Sequence, residues 1–124
     1  MDKNLGKVTI APNVLVTIVQ KTACSVPGVA RLWDRVPGVH RLLGLPTVGQ
    51  GVRVNVVDDR VVANVYLIAR PETDLLHMGR QLQRQVTRDI EHIVGMSVRE
   101  INVHIEDIET PLTQARAQKK DRAG

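Results

Sequence analysis

The stretch VRVNVVDDRVVANVYLIA, residues 52–69, decides the fold of this 124-residue chain. Valine and other strand-favouring residues dominate both of its halves. The charged triplet DDR at 58–60 separates the halves and is typical of a tight turn. The sequence therefore predicts a β-hairpin with strands at 52–57 and 61–69.

Helical spacing replaces strand alternation on both sides of the hairpin. Residues 14–26 carry apolar side chains at i, i+3 and i+4, and Pro27-Gly28 follows as a helix stop. Residues 74–94 carry a longer stripe of the same kind that ends at Gly95. We predict one helix before the hairpin and one after it.

Three further segments resemble strands. Residues 7–11 (KVTIA) precede the first helix, residues 29–33 (VARLW) follow it, and residues 98–108 (VREINVHIEDI) alternate apolar and polar side chains. The order β-α-(β)-β-β-α-β predicts a two-layer α+β domain. Its two helices should pack on one face of a mostly antiparallel sheet.

The pattern VPGVxRL occurs twice, at 26–32 and at 36–42. The first copy is explained as a helix stop that leads into a strand, whereas the second lies in a Gly- and Pro-rich stretch and predicts a loop. We expect a single domain over 1–110 with a variable loop at 33–50. Residues 111–124 are basic, lack apolar periodicity and predict a disordered tail.

Composition narrows the class of protein. The net charge is +4, and the residues at the start of the chain lack the apolar run of a signal peptide. No stretch approaches the ~20 apolar residues of a membrane span. The single cysteine, Cys24, cannot form an intrachain disulfide, and we expect it to be a buried small hydrophobe. These features predict a soluble cytoplasmic protein.

Sequence motifs for catalysis and metal binding are missing. There is no HExxH, CxxC, GxGxxG or P-loop pattern. His104 and Glu106 share a strand face and could begin a metal or acid–base site, but no third group is evident. We expect no catalytic residue, no metal site and no cofactor.

Three regions are candidates for binding a partner. On the second helix Arg80, Arg84 and Arg88 recur every four residues, away from the apolar stripe. Such a row can bind phosphates or an acidic partner, or it can be an ordinary solvated helix face. Trp33 stands at the start of the loop with more apolar residues than loops usually carry, and tryptophan often anchors interfaces.

The third region is the sheet face turned away from the helices. If Val52 and Val54 face the helices, alternation directs Arg53 and Asn55 the other way. The same rule places Tyr66 and His104 on this outer face. It predicts either a wet surface or a face for self-association. A single tyrosine argues against base stacking of the kind that RNA-binding sheets use.

Three blocks in order resemble the bacterial alkaline-shock, envelope-stress protein family. They are GKVTIAPNVLVTIVQKTACSVPGVARL, GVRVNVVDDRVVANVYLIA and LQRQVTRDIEHIVGMSVREINVHIEDI, which together span about residues 6–109. The resemblance implies a non-enzymatic protein of envelope stress or homeostasis. It also implies self-association and a membrane-anchored protein partner that holds some members at the cytoplasmic side of the membrane.

The sequence thus favours a cytoplasmic protein-interaction domain that forms homo-oligomers and binds an envelope-linked protein. The alternative is a nucleic-acid-binding module that uses the arginine row and the basic tail. Binding that weakens linearly with the logarithm of salt concentration would support the alternative.

Overall fold

A computed structural model describes residues 4–34 and 47–113 of the chain. From the first helix onward the helices and strands follow the predicted order, with one additional strand, Thr47–Gly49, before the hairpin. They are α1 (Pro12–Ser25), β1 (Val29–Leu32), β2 (Thr47–Gly49), β3 (Val52–Val57), β4 (Arg60–Ala69), α2 (Leu75–Asp89), which continues into a π-helical turn (Ile90–Val94), and β5 (Ser97–Ile108).

The sheet is built around β4, the longest strand of the hairpin. β3 pairs antiparallel with β4 from Arg60 to Val65, and β1 pairs antiparallel with the same edge of β4 from Leu67 to Ala69. β5 runs parallel to β4 along its other edge, and β2 extends the sheet beyond β3. Three of these four pairings are antiparallel, as predicted.

β1 and β3 meet end to end beside Tyr66 of β4. The Tyr66 amide donates to the Gly51 carbonyl at 2.8 Å, and the Tyr66 carbonyl accepts from the Trp33 amide at 2.7 Å. Gly51 fits this junction because its φ is +70° and an added Cβ would lie 2.6 Å from Leu32 Cβ. Gly51 therefore allows β1 and β3 to lie end to end along one edge of β4.

Both helices pack on one face of the sheet, which confirms the two-layer α+β class. α1 contacts β1, β2 and β3, while α2 contacts β5, and the two helices also contact each other. The core between the layers is aliphatic, as expected from a chain with one Trp, one Tyr and no Phe. Its most buried members include Val19, Ala23, Val52, Val65, Leu67, Leu82, Val86 and Ile90.

Two sequence expectations are wrong. Residues 7–11 belong to no strand among the described residues, and the Val8 side chain is 92% exposed. Cys24 lies on an exposed face of α1 rather than in the core.

Part of the predicted loop at 33–50 is ordered, since Thr47–Gly49 forms β2. Residues 35–46, including the second VPGVxRL copy, lie outside the described residues, as do residues 114–124 of the predicted tail. The first three residues of that tail, 111–113, form a helical turn in which Thr113 is buried, so they are not disordered as expected. The domain boundary at residue 110 stays a prediction.

Candidate interaction surfaces

Four polar side chains form a connected group on the sheet face opposite the helices. They are Arg53, Asn64, Tyr66 and His104, here called the sheet-face cluster. The rings of Tyr66 and His104 stack with centroids 4.4 Å apart and planes 11° from parallel. His104 Nε2 donates to Asn64 Oδ1 at 2.9 Å, and Arg53 Nη1 donates to the Tyr66 hydroxyl at 3.5 Å.

Strand register explains why these four side chains meet. Arg53 of β3 lies directly opposite Asn64 of β4, and Tyr66 of β4 lies opposite His104 of β5. Residues directly opposite each other direct their side chains to the same face. The stack and its neighbours leave Tyr66 only 7% exposed, although the ring is on the uncovered side of the sheet. The cluster is therefore held in place before any partner arrives.

Asn55 and Arg31 extend this face in two directions along the strands. Asn55 is exposed on β3, opposite Val62. Arg31 of β1 lies opposite Ile68, and its Nε is buried without a hydrogen-bond partner among the described residues. Sequence reasoning named Asn55 but missed Arg31. Strict alternation would have put Arg31 on the same face as the buried Val29, and the irregularity between these two residues turns Arg31 to the outer face.

Arg80, Arg84 and Arg88 are all exposed on α2, as predicted. Arg80 Nη1 donates to Gln83 Oε1 at 3.0 Å, which ties the first guanidinium to its own helix. Arg84 and Arg88 both line two open depressions, one that also includes His77 and one that also includes His92. We call these three arginines the arginine row.

The structure does not bring all the predicted residues together. The arginine row lies on the helix layer, whereas Arg53, Asn55, Tyr66 and His104 lie on the opposite side of the sheet. The half-buried Trp33 joins the sheet through its backbone bond to Tyr66. The chain thus presents two polar surfaces that cannot contact one small ligand at once.

Within residues 4–34 and 47–113, no three or more His, Cys, Asp or Glu side chains are grouped so that they could hold a metal ion. His104 bonds to Asn64 rather than to a carboxylate. Among those same residues, no helix is long and apolar enough to cross a membrane.

Comparison with known proteins identifies the family of this chain. The profile of the alkaline shock protein 23 family, described as having a cell envelope-related function, matches residues 1–110. The chain belongs to this family. The uncharacterized protein YqhY of Bacillus subtilis (strain 168), a similar protein, is 31% identical over 109 residues, which cover 87% of this chain and 81% of the relative.

Solved structures share the fold at low sequence identity. The copper form of MamM CTD is 16% identical with a TM-score of 0.56, covering 80% of this chain and 88% of that one. A zinc form of a MamM CTD variant is 18% identical with a TM-score of 0.53, covering 79% and 87%. At such low identities the likeness shows only that this chain shares the α+β architecture of MamM CTD. The copper and zinc are features of the MamM CTD structures.

Proposed function

We propose that this chain is a non-enzymatic protein-interaction domain that acts in cell-envelope stress response or homeostasis. It does so by binding a protein partner and a second copy of itself. The observation that carries the proposal is the sheet-face cluster, a set of fixed polar side chains on a face that neither helix covers.

The chemistry of the sheet-face cluster suits a protein partner. Arginine is enriched in protein interfaces, and the half-buried Arg53 can contact a partner directly. Tyr66 is only 7% exposed, so it holds its neighbours in place rather than supplying contact area. The stacked rings of Tyr66 and His104 are already ordered in the free chain. A partner that covers this face therefore gains contacts with ordered groups.

Membership of the family supports the envelope link. Its described function is cell envelope-related, although YqhY itself is uncharacterized. We propose that the chain is cytoplasmic and reaches the inner face of the membrane through a membrane-anchored protein partner. The proposed mechanism needs no catalytic residue, metal or cofactor.

Affinity capture from a lysate, with and without nuclease, tests this function. The wild-type chain should recover a protein partner that resists nuclease treatment. Arg53→Glu should lose that partner because it reverses a charge within the sheet-face cluster. Arg84→Glu is the matched control, since it makes the same change on the helix layer. Equal recovery by both variants, or recovery of nucleic acid alone, would contradict the proposal.

The arginine row supports a second candidate function, nucleic-acid binding. All three of its guanidinium groups lie on the exposed side of α2, and two of them line both open depressions. Phosphate contacts of this kind release counterions, so affinity should fall linearly with the logarithm of salt concentration. The buried Tyr66 ring offers no stacking platform, which makes this candidate the weaker of the two.

A further inference from the structure

An apolar arm precedes α1 and pairs with no strand in the part of the chain that the structure describes. The arm is Lys7–Ala11, the segment whose alternation predicts a strand. Gly6, with φ +109°, precedes it, and Pro12 begins α1. Ala11 is extended with φ −65° and ψ 145°, as the residue before a proline prefers. The residue that joins the arm to α1 is therefore extended.

The arm exposes the side chains that a strand would bury. Val8 is 92% exposed and Ile10 is 44% exposed. These two residues are separated by one position, so in a strand they point to the same face. Thr9 would point to the other face.

Among the described residues, three strands pair on one side only, and β5 is the longest of them, since β1 has four residues and β2 has three. β5 pairs with β4 alone, and bulges interrupt that pairing near Arg99 and Glu106. Between the bulges the register is regular from Glu100 to Ile105. Bulges protect edge strands from unwanted pairing, so only this six-residue stretch is open to a further strand. Its length suits the five-residue arm.

Backbone groups at this edge of β5 are directed away from β4, and one of them already accepts a hydrogen bond from a side chain. Gln83 Nε2 donates to the Ile101 carbonyl at 3.0 Å, so this carbonyl is directed away from β4. Alternate residues of a strand direct their N–H and C=O groups to the same edge. Val103 and Ile105 therefore direct theirs outward as Ile101 does.

An apolar groove lies directly beside these backbone groups. It has a volume of about 350 Å³ and is lined by Leu75, Leu76, Gly79, Arg80, Gln83, Val103 and Ile105. Leu76 is 71% exposed within it. The missing side chain of Gly79 keeps the groove open, since a Cβ there would lie 4.0 Å from Val103 Cγ1.

We propose that Lys7–Ala11 of one copy adds as a strand to the β5 edge of a second copy and places Val8 and Ile10 in this groove. The exchange is reciprocal, because each copy carries one arm and one β5 edge, and it closes as a twofold dimer. This proposal rests on the self-association in the proposed function and names its surface.

Sedimentation of the full chain over a wide range of concentrations tests the arm and the groove separately. The wild type should form dimers. The double variant Val8→Glu/Ile10→Glu and the groove variant Leu76→Glu should each be monomeric over the same range. Ile93→Glu is the control, because Ile93 is 66% exposed on the π-helical turn and away from the groove. It should dimerise like the wild type.

Mixing the two monomeric variants gives a sharper result. One intact arm then faces one intact groove, so the mixture should form weak heterodimers that neither variant forms alone. A wild type that stays monomeric, or an arm variant that dimerises normally, would overturn the proposal. In the first case, partner capture by the wild-type chain would still support the partner-binding part of the proposed function. Loss of capture with intact dimers would count against that function alone.

Discussion

Gly51 shows how one residue can determine the arrangement of three strands. Its positive φ and the closeness of Leu32 Cβ and the Tyr66 carbonyl leave no room for a side chain. The same junction holds Tyr66, and Tyr66 carries the stack with His104. The order of the sheet-face cluster therefore depends on a residue that the sequence shows only as a glycine before a strand.

Gly51→Ala should lower the free energy of unfolding by at least about 2 kcal/mol, because it adds overpacking to backbone strain. Gly95→Ala is the control. Gly95 also has a positive φ, +77°, but nothing lies within 4 Å of an added Cβ. Strain alone should cost about 1 kcal/mol there. Urea denaturation measures both values, and equal losses would show that the junction at Gly51 is not close-packed.

The rate at which the Cys24 thiol is alkylated should depend on pH in a predictable way. Partial burial raises the pKa of its thiol above the ordinary value. The thiolate is the reactive form, so a raised pKa leaves less of it at a given pH. Alkylation of the folded chain by iodoacetamide should therefore rise with pH later than alkylation of the urea-unfolded chain. A folded-state profile shifted toward lower pH would contradict this.

At the level of elements, the helix layer is joined by a hydrogen bond between α1 and α2. Thr22 Oγ1 donates to Asp89 Oδ2 at 2.6 Å, and Thr22 is buried. A hydrogen bond to a carboxylate is shorter and stronger than one between neutral groups. This bond links the last part of α1 to the end of α2, immediately before the π-helical turn.

Thr22→Val should reduce stability by about 1–2 kcal/mol, because it keeps the side-chain shape and removes the donor to Asp89. Thr17→Val makes the same change at an exposed position of α1 and should have little effect. Thermal unfolding of the two variants beside the wild type checks the difference. If Thr22→Val unfolds at the same temperature as the wild type, the hydrogen bond between Thr22 and Asp89 contributes nothing to joining the helices.

Elements with local signals were predictable from sequence. The hairpin of β3 and β4 follows from its valines and its charged turn, and α2 follows from a stripe that ends at Gly95. The conformation of residues 7–11 was not predictable from the sequence. A strand needs the edge of a neighbouring strand, and the alternation of Val8 and Ile10 does not say where that edge is. The parallel register of β5 with its two bulges also depends on contacts distant in sequence.

Alternation placed the members of the candidate site on one face but did not connect them. It assigned Arg53, Tyr66 and His104 to the outer face, where the structure has them. The stack and the bond to Asn64 depend on the register between strands, which the sequence does not specify. Arg31 was missed because the face of so short a strand is hard to assign before its pairing is known.

At the scale of the whole molecule, the described residues give two different sides. The helix layer presents the arginine row, and the opposite sheet face presents the sheet-face cluster. The proposed dimer does not use the sheet-face cluster, whereas its groove includes Arg80 of the arginine row. Two copies could therefore associate while the sheet-face cluster of each copy stays open to a protein partner.

The central claim is that the open sheet face binds that partner. Asn55 is exposed on this face and Gln85 lies on α2, so a photo-crosslinking amino acid at each position samples the two sides separately. In cells, crosslinking from position 55 should give a discrete protein adduct, and crosslinking from position 85 should not. Adducts from position 85 alone, or a nucleic-acid adduct there with none from position 55, would contradict the account.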